Sequence, residues 1–326
     1  MNLTPRVLVS AATRASLAAR VGSAATLLAL EDVADDATQA VHAAFISRDI
    51  TGLSTKTRLL PALQACYRVL RRSPQLAWVH THSAGVDRPI YAELMARGVA
   101  VSTSSGANAE VVAQTALGAV LALSRRFPQL LAAQRERRWA PLVAGPLPPD
   151  LAGQTAVLLG WGPIAQRLQP LLALLGLHVV VVRSSAMSAG PGIETVPFGA
   201  LDQVLPRADW LLLACPLTAQ TRGRIDAAAL ARLPAGAHLV NVARGEIVVE
   251  ADLVAALQRG RLAGAFLDVF ETEPLSETSP LWALPGVMLT PHAAGHAAGN
   301  AARTADIFID NLQRWTRGEP LRNAVA

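Results

Sequence analysis

Three side chains suited to moving protons and gripping carboxylates stand at equivalent places in the C-terminal half of the chain. They are Arg244 in NVARGEIV, Glu273 in FLDVFETEPL and His292 in LTPHAAG. Each follows a short leucine-rich or β-branched run (237–242, 263–269, 287–290) that reads as a strand. The carboxyl ends of an open parallel sheet surround one crevice, so residues far apart in sequence converge there. A guanidinium can hold a carboxylate by two parallel hydrogen bonds and polarise the adjacent carbonyl. An imidazole can deliver the proton that a carbonyl oxygen needs as hydride reaches its carbon. A glutamate on the other ring nitrogen would hold the tautomer and favour the protonated ring. Together these groups suit reduction of a 2-oxo acid. Taken singly, each has a plainer reading as a loop arginine, a solvated turn residue or a capping histidine.

The elements that must position them are organised around residues 155–185. An apolar run ends in Gly160-Trp161-Gly162-Pro163-Ile164, continues at helical spacing, and re-enters a β-branched run at Val179. This strand, glycine turn, helix and strand form a mononucleotide-binding unit, in which glycines admit a pyrophosphate and a helix N-terminus faces its charge. The third glycine of the fingerprint is Ala165, small enough for close helix-to-strand packing. Where an acid would take the ribose 2′-hydroxyl of NAD, the chain has Arg183-Ser184-Ser185, a guanidinium and two hydroxyls suited to a 2′-phosphate. The expectation is NADP(H) in preference to NAD(H), with NAD(H) still possible. The plainer alternative is a solvated arginine at a strand end.

Strand-like and helix-like stretches alternate throughout, which predicts an α/β fold of two doubly wound parallel-sheet domains. The first spans 1–102 and is completed by 293–326; the dinucleotide-binding domain spans 103–292. In the first, the loop His80–Asp87 follows a strand, and its glycine exposes amides that could hold a carboxylate. His80 and His82 lack a third metal ligand by spacing, and the His292, His296 pair lacks the glutamate of a zinc helix. No metal is expected. Residues 108–127 read as one long, nearly uncharged helix linking the domains, and as part of a dimer interface. Residues 139–149 read as a proline-rich loop, 197–208 as a short helix, and Asp226 as the N-cap of another. The last helix, 303–317, is expected to pack on the first domain.

Of the 326 residues, 52% are hydrophobic and 16% charged, the composition of a compact α/β protein. The formal charge of +5 comes from scattered arginines with Lys56 the only lysine, and no basic helix with interleaved aromatics suggests nucleic acid. The apolar stretches 111–123 and 171–182 are interrupted and shorter than the ~20 residues of a membrane span. The N-terminus lacks the charged and apolar regions of a secretion signal. A cytoplasmic location is expected. Cys66 and Cys215 read as reduced structural thiols.

The strings SAGVD, GWGPIA, NVARGEIV, FLDVFETEPL and LTPHAAG, in this order and spacing, resemble the D-isomer-specific 2-hydroxyacid dehydrogenase family over nearly the whole chain. The resemblance implies a flavodoxin-like substrate domain and a Rossmann cofactor domain with the active site in the cleft between them. It implies a triad of Arg244, Glu273 and His292, with the Ala84 and Gly85 amides on the substrate carboxylate. It further implies that Asp268 meets the nicotinamide, with Cys215, Pro216, Thr221, Val242 and Ala243 lining that site, and that the protein is a homodimer. Departures from the family pattern are Ala165, Arg183, and Gln114 where many members have glutamate; none touches the triad. Arg183 with Ser184 resembles the NADPH-using glyoxylate and hydroxypyruvate reductases of the family. The absence of a regulatory extension after Ala326 is taken to disfavour phosphoglycerate dehydrogenase. A larger aryl or branched 2-oxo acid, or a non-catalytic NADP(H) sensor on the same fold, are the alternatives.

Overall fold

The central apolar runs become strands buried on both faces, because helices pack against each side of the sheets. A computed structural model describes residues 4–33, 40–55, 58–185 and 187–325. It divides into two units, Met1–Asn108 with Ala297–Ala326, and Ala109–His296.

The first unit holds a five-stranded sheet, β1 (Arg6–Val9), β2 (Thr26–Ala29), β3 (Ala43–Ile46), β4 (Trp78–Thr81) and β5 (Ala100–Thr103). All pairs are parallel and the order is β2-β1-β3-β4-β5. Helices α1 (Ala11–Val21), α2 (Arg48–Thr51), α3 (Pro61–Arg72) and α4 (Pro89–Ala96) connect the strands. Alternate residues serve opposite faces, as the pleat requires. Val7, Val9, Phe45 and Trp78 meet Leu17 of α1 and Phe308 of the last helix, Asn300–Thr316. Leu8, Ala44, Ile46 and Val79 meet Leu63 and Leu70 of α3 and Leu94 of α4. The last helix therefore completes the first unit.

On the Trp78 face lies His80, fully buried. Its Nδ1 is 2.8 Å from Ser102 Oγ and its Nε2 is 3.0 Å from Ser104 Oγ. Trp78 Nε1 donates to Ser102 Oγ, and Ser104 Oγ donates to the Thr81 carbonyl. Ser102 is thus left to donate to Nδ1 and Ser104 to accept from Nε2–H. Burial drives the His80 pKa down to about 3, with His82 adding to the effect. His80 is a neutral core histidine.

The second unit carries a seven-stranded parallel sheet, β6 (Thr155–Leu159), β7 (His178–Arg183), β8 (Glu194–Pro197), β9 (Trp210–Leu213), β10 (Ala237–Asn241), β11 (Leu262–Leu267) and β12 (Val287–Leu289). Its order is β12-β11-β10-β9-β6-β7-β8, with the direction of winding reversing between β6 and β9. Its helices are α5 (Ala109–Ser124), α6 (Phe127–Arg135), α7 (Pro163–Leu174), α8 (Leu201–Val204), α9 (Ala227–Arg232) and α10 (Glu250–Gln258); Asn300–Thr316 is α11. One face packs Ala113, Ala116 and Val120 of α5 with Leu168 and Leu172 of α7. The other packs Leu230 of α9 and Leu253 of α10. Asp226 caps α9 as expected, accepting from Ala229 N at 2.9 Å.

Two expectations are corrected and one is extended. The units divide after Asn108 and His296 rather than at 102 and 292. Ser104 N bonds to Thr81 O and Arg303 Nε to Ala107 O, which keeps 103–108 in the first unit. Ala293 and Ala294 donate to Asp268, which keeps them in the second. The long helix of 108–127 is present as α5, but Phe127 begins a second helix, α6, after the left-handed φ of 55° at Arg126. Residues 197–208 form α8 between two 3-10 turns, after Glu194–Pro197 has paired as edge strand β8.

Candidate active site

Loops at the carboxyl ends of β6 and β9, and of β10 and β11, are locked in two pairs by backbone contacts that admit no side chain. Gly160 takes φ 108°, and a Cβ there would lie 2.7 Å from Ala214 O in the loop after β9. Gly245 is tighter still, since a Cβ would lie 1.9 Å from the carbonyl carbon of Phe270 after β11. Glycine is required at both positions by close approach. The loop bearing Arg244 therefore lies directly on the loop bearing Glu273. Glu250 and Glu271 reinforce the contact, each accepting from the other's backbone N–H at 2.9 and 3.3 Å.

Arg244 sits in extended conformation just after β10, half-buried, with Nη1 bonded to the Ala243 carbonyl at 2.7 Å. Glu273 receives the Phe270 N–H on Oε1 at 3.2 Å and presents Oε2 to His292 Nδ1 at 2.8 Å. A carboxylate only accepts, so the Nδ1 atom carries the proton of that bond. The imidazole side chain is half exposed. Nε2 is the ring atom left to face a ligand. His292 itself has φ 51°, an uncommon conformation for a residue other than glycine.

The first turn of α7 has Gly162 as N-cap, no side chain bonded to its amides, and Pro163 at its start. A Cβ on Gly162 would meet nothing within 4 Å, so the space before the helix terminus is open. Ala165 is fully buried against the sheet, as its substitution for the third glycine predicts. Beyond β7, the Arg183 guanidinium makes one long contact, to Met187 O at 3.4 Å. The buried Ser185 Oγ has no hydrogen-bond partner among the described residues, while Ser184 is exposed. Open helix amides, an open glycine and the polar groups beyond β7 fit a bound dinucleotide.

Residues 117–294 match the family model of the D-isomer specific 2-hydroxyacid dehydrogenase, NAD binding domain. The chain belongs to this family. It is 35% identical over 260 residues to D-3-phosphoglycerate dehydrogenase of Mycobacterium tuberculosis, covering 79% of this chain and 48% of that one. The chain thus spans about half the length of these curated relatives. It is 32% identical to glyoxylate reductase of Korarchaeum cryptofilum, covering 79% of this chain and 78% of that one. Among solved structures it resembles the NADPH-dependent glyoxylate/hydroxypyruvate reductase of Sinorhizobium meliloti in complex with NADP and malonate. There the TM-score is 0.76 at 30% identity, over 99% of this chain and 97% of that one.

For a member of this family, the remaining residues named from sequence divide by what their polar atoms do. Val242, Ala243 and Cys215 are buried behind the loops, and burial pushes the Cys215 thiol up to about 12, so it stays protonated. Thr221 braces the loop after β9, its Oγ1 accepting from Thr218 N at 2.7 Å and donating to Pro216 O at 2.8 Å. Pro216, Trp161 and Ile164 are exposed or half-buried beside the glycine turn. In the first unit Ala84 is exposed and Gly85 half-buried after β4, where Ser83 Oγ donates to Gly85 O at 2.8 Å. Asp268 is buried, and its Oδ1 accepts from Thr290 Oγ1, Ala293 N and Ala294 N at 2.6, 2.7 and 2.9 Å. That oxygen secures the His292 loop. His292 and His296 lie on this loop and not on a helix.

Two residues went unremarked in the sequence. Asn241, the last of β10, accepts from Ala243 N and donates to Arg244 O, both at 3.0 Å. Thr290 bonds to Asp268 as described. A polar residue closing an apolar strand, two or three positions before a reactive one, was the available signal.

Proposed function

We propose that the chain is an NADPH-dependent reductase of a small 2-oxo acid, glyoxylate or hydroxypyruvate, giving the D-hydroxy acid where the product is chiral. The observation that carries this reading is the His292–Glu273 pair, held by the Gly245 contact against the loop of Arg244. The names of the Korarchaeum and Sinorhizobium proteins support the substrate class, and that of the latter supports NADPH.

In this reading Arg244 binds the substrate carboxylate and draws electron density from the adjacent carbonyl. Bound NADPH supplies the hydride to the carbonyl carbon. His292, protonated on both nitrogens, gives the Nε2 proton to the developing alkoxide and keeps its Nδ1 proton on Glu273. The neutral ring is then left in the tautomer that Glu273 already holds. Arg183, Ser184 and Ser185 take the 2′-phosphate.

The test is initial rates over a panel of 2-oxo acids (glyoxylate, hydroxypyruvate, pyruvate, phenylpyruvate), each with NADPH and with NADH. Fastest turnover of the two smallest hydroxylated or hydrated acids with NADPH is expected. Faster turnover of phenylpyruvate would contradict the substrate class. Tight NADPH binding without turnover of any acid would point to a sensor.

A further inference from the structure

Asn241 and Asp268 follow one another across the sheet, one closing β10 and the other succeeding β11. Asp268 N donates to Asn241 O at 3.0 Å, so their backbones are joined. Both residues are almost fully buried, at 1% and 3% exposure; Asn241 turns onto the loop that follows it, and Asp268 reaches across to the loop after β12. Asn241 spends its amide on the two residues around the Ala243–Arg244 peptide, accepting from Ala243 N and donating to Arg244 O. Asp268 uses one oxygen on residues either side of His292, namely the Thr290 hydroxyl before it and the Ala293 and Ala294 amides after it. His292 N donates to Asp268 O at 2.8 Å as well. A histidine at φ 51° persists only where its surroundings over-determine it.

We propose that Asn241 and Thr290 are positioning residues, Asn241 fixing Arg244 for the substrate carboxylate and Thr290, through Asp268, fixing His292 for proton delivery. The proposal rests on the reductase reading given above. It divides the labour between two side chains whose polar atoms are bonded to the protein's own loops. Loss of the Asn241 amide frees the Arg244 peptide while the His292 loop keeps its three bonds. Loss of the Thr290 hydroxyl releases one side of His292 while Arg244 is untouched. Thr290→Val keeps the shape and removes the hydroxyl, and Thr290→Ser restores the hydroxyl.

The experiment is steady-state kinetics of wild type, Asn241→Ser, Thr290→Val and Thr290→Ser with NADPH and glyoxylate, alongside the 15N ring signals of His292 and the Tm of each full chain. Thr290→Val is expected to lower kcat with KM for glyoxylate nearly unchanged, by up to about 100-fold, the scale of a small misplacement at a reacting centre. Its His292 ring signals should shift, and Thr290→Ser should recover both. Asn241→Ser is expected to raise KM for glyoxylate more than it lowers kcat, with the His292 signals unmoved. Equal effects of the two on kcat and KM, or losses that follow Tm alone with no recovery in Thr290→Ser, would overturn the assignment. An inactive wild type would defeat the reductase reading instead. The His292 signals would then decide the positioning role of Thr290, and unchanged signals in Thr290→Val would refute it.

Discussion

His292 Nδ1 lies 2.8 Å from Glu273 Oε2, although the two residues follow different strands of the sheet. Because the carboxylate accepts the Nδ1–H hydrogen bond, the outer nitrogen is the one available to act, and its loss should fall on turnover. His292→Ala is expected to lower kcat by about 100-fold or more, the usual scale of a placed acid. Glu273→Gln should reduce kcat less, since an amide still reaches Nδ1 without the charge. Steady-state rates with saturating NADPH measure both, and a His292→Ala enzyme at the wild-type rate would remove the residue from the chemistry.

Gly245 and Gly162 should respond oppositely to the same substitution. An alanine at Gly245 must displace the Phe270 backbone, and overpacking of this kind costs about 1–3 kcal/mol or more. Gly162→Ala meets only open space, so its Tm without cofactor should match wild type while NADPH binding weakens. Thermal melts and calorimetric titration with NADPH check the pair. Unaltered NADPH affinity in Gly162→Ala would show that the open space before α7 does not receive the dinucleotide.

Arg183 should govern cofactor choice. A charge-assisted hydrogen bond contributes about 1.5–3 kcal/mol, so Arg183→Gln should raise KM for NADPH roughly 10-fold to 100-fold and leave that for NADH nearly constant. If both cofactors weaken alike, the arginine is a surface residue of β7 and the preference lies elsewhere.

The strand and helix pattern was readable because strands buried on both faces are continuous apolar runs and the glycine turn has one workable geometry. Arg244, Glu273 and His292 were readable because reactive side chains at successive strand ends stand out against apolar neighbours. The hydrogen-bond partners of Thr221 and Asp268 were not, since an atom's partner is fixed by tertiary contacts that spacing does not encode. Thr221 Oγ1 turns to its own loop, and Asp268 Oδ1 turns to residues 22 to 26 positions away. The long helix over 108–127 was readable from its helical composition and stands as α5, whereas the separate helix α6 that begins at Phe127 was not.

Acid should loosen the first unit through His80. Its folded pKa of about 3 lies below the ordinary 6.5, so the unfolded chain takes up the proton first. The stabilisation is complete above about 6.5 and is lost as pH falls through that window toward about 3. His238, lowered to about 4 mainly by burial, acts in the same direction in the second unit. Denaturant unfolding between pH 7 and pH 4 (about the span of these shifts) should show a steeper loss in wild type than in His80→Gln. Parallel slopes would mean that His80 is not the group taking up the proton.

The reaction itself is tested most directly by following the transferred hydrogen. The protein is given hydroxypyruvate with NADPH dideuterated at C4 of the nicotinamide, and the product is analysed by mass spectrometry and chiral chromatography. Deuterium at C2 of the D-hydroxy acid is the expected result, abolished or strongly slowed in His292→Ala. Product without deuterium would contradict hydride transfer to a 2-oxo acid, and the L-isomer would contradict the stereochemical course of the account.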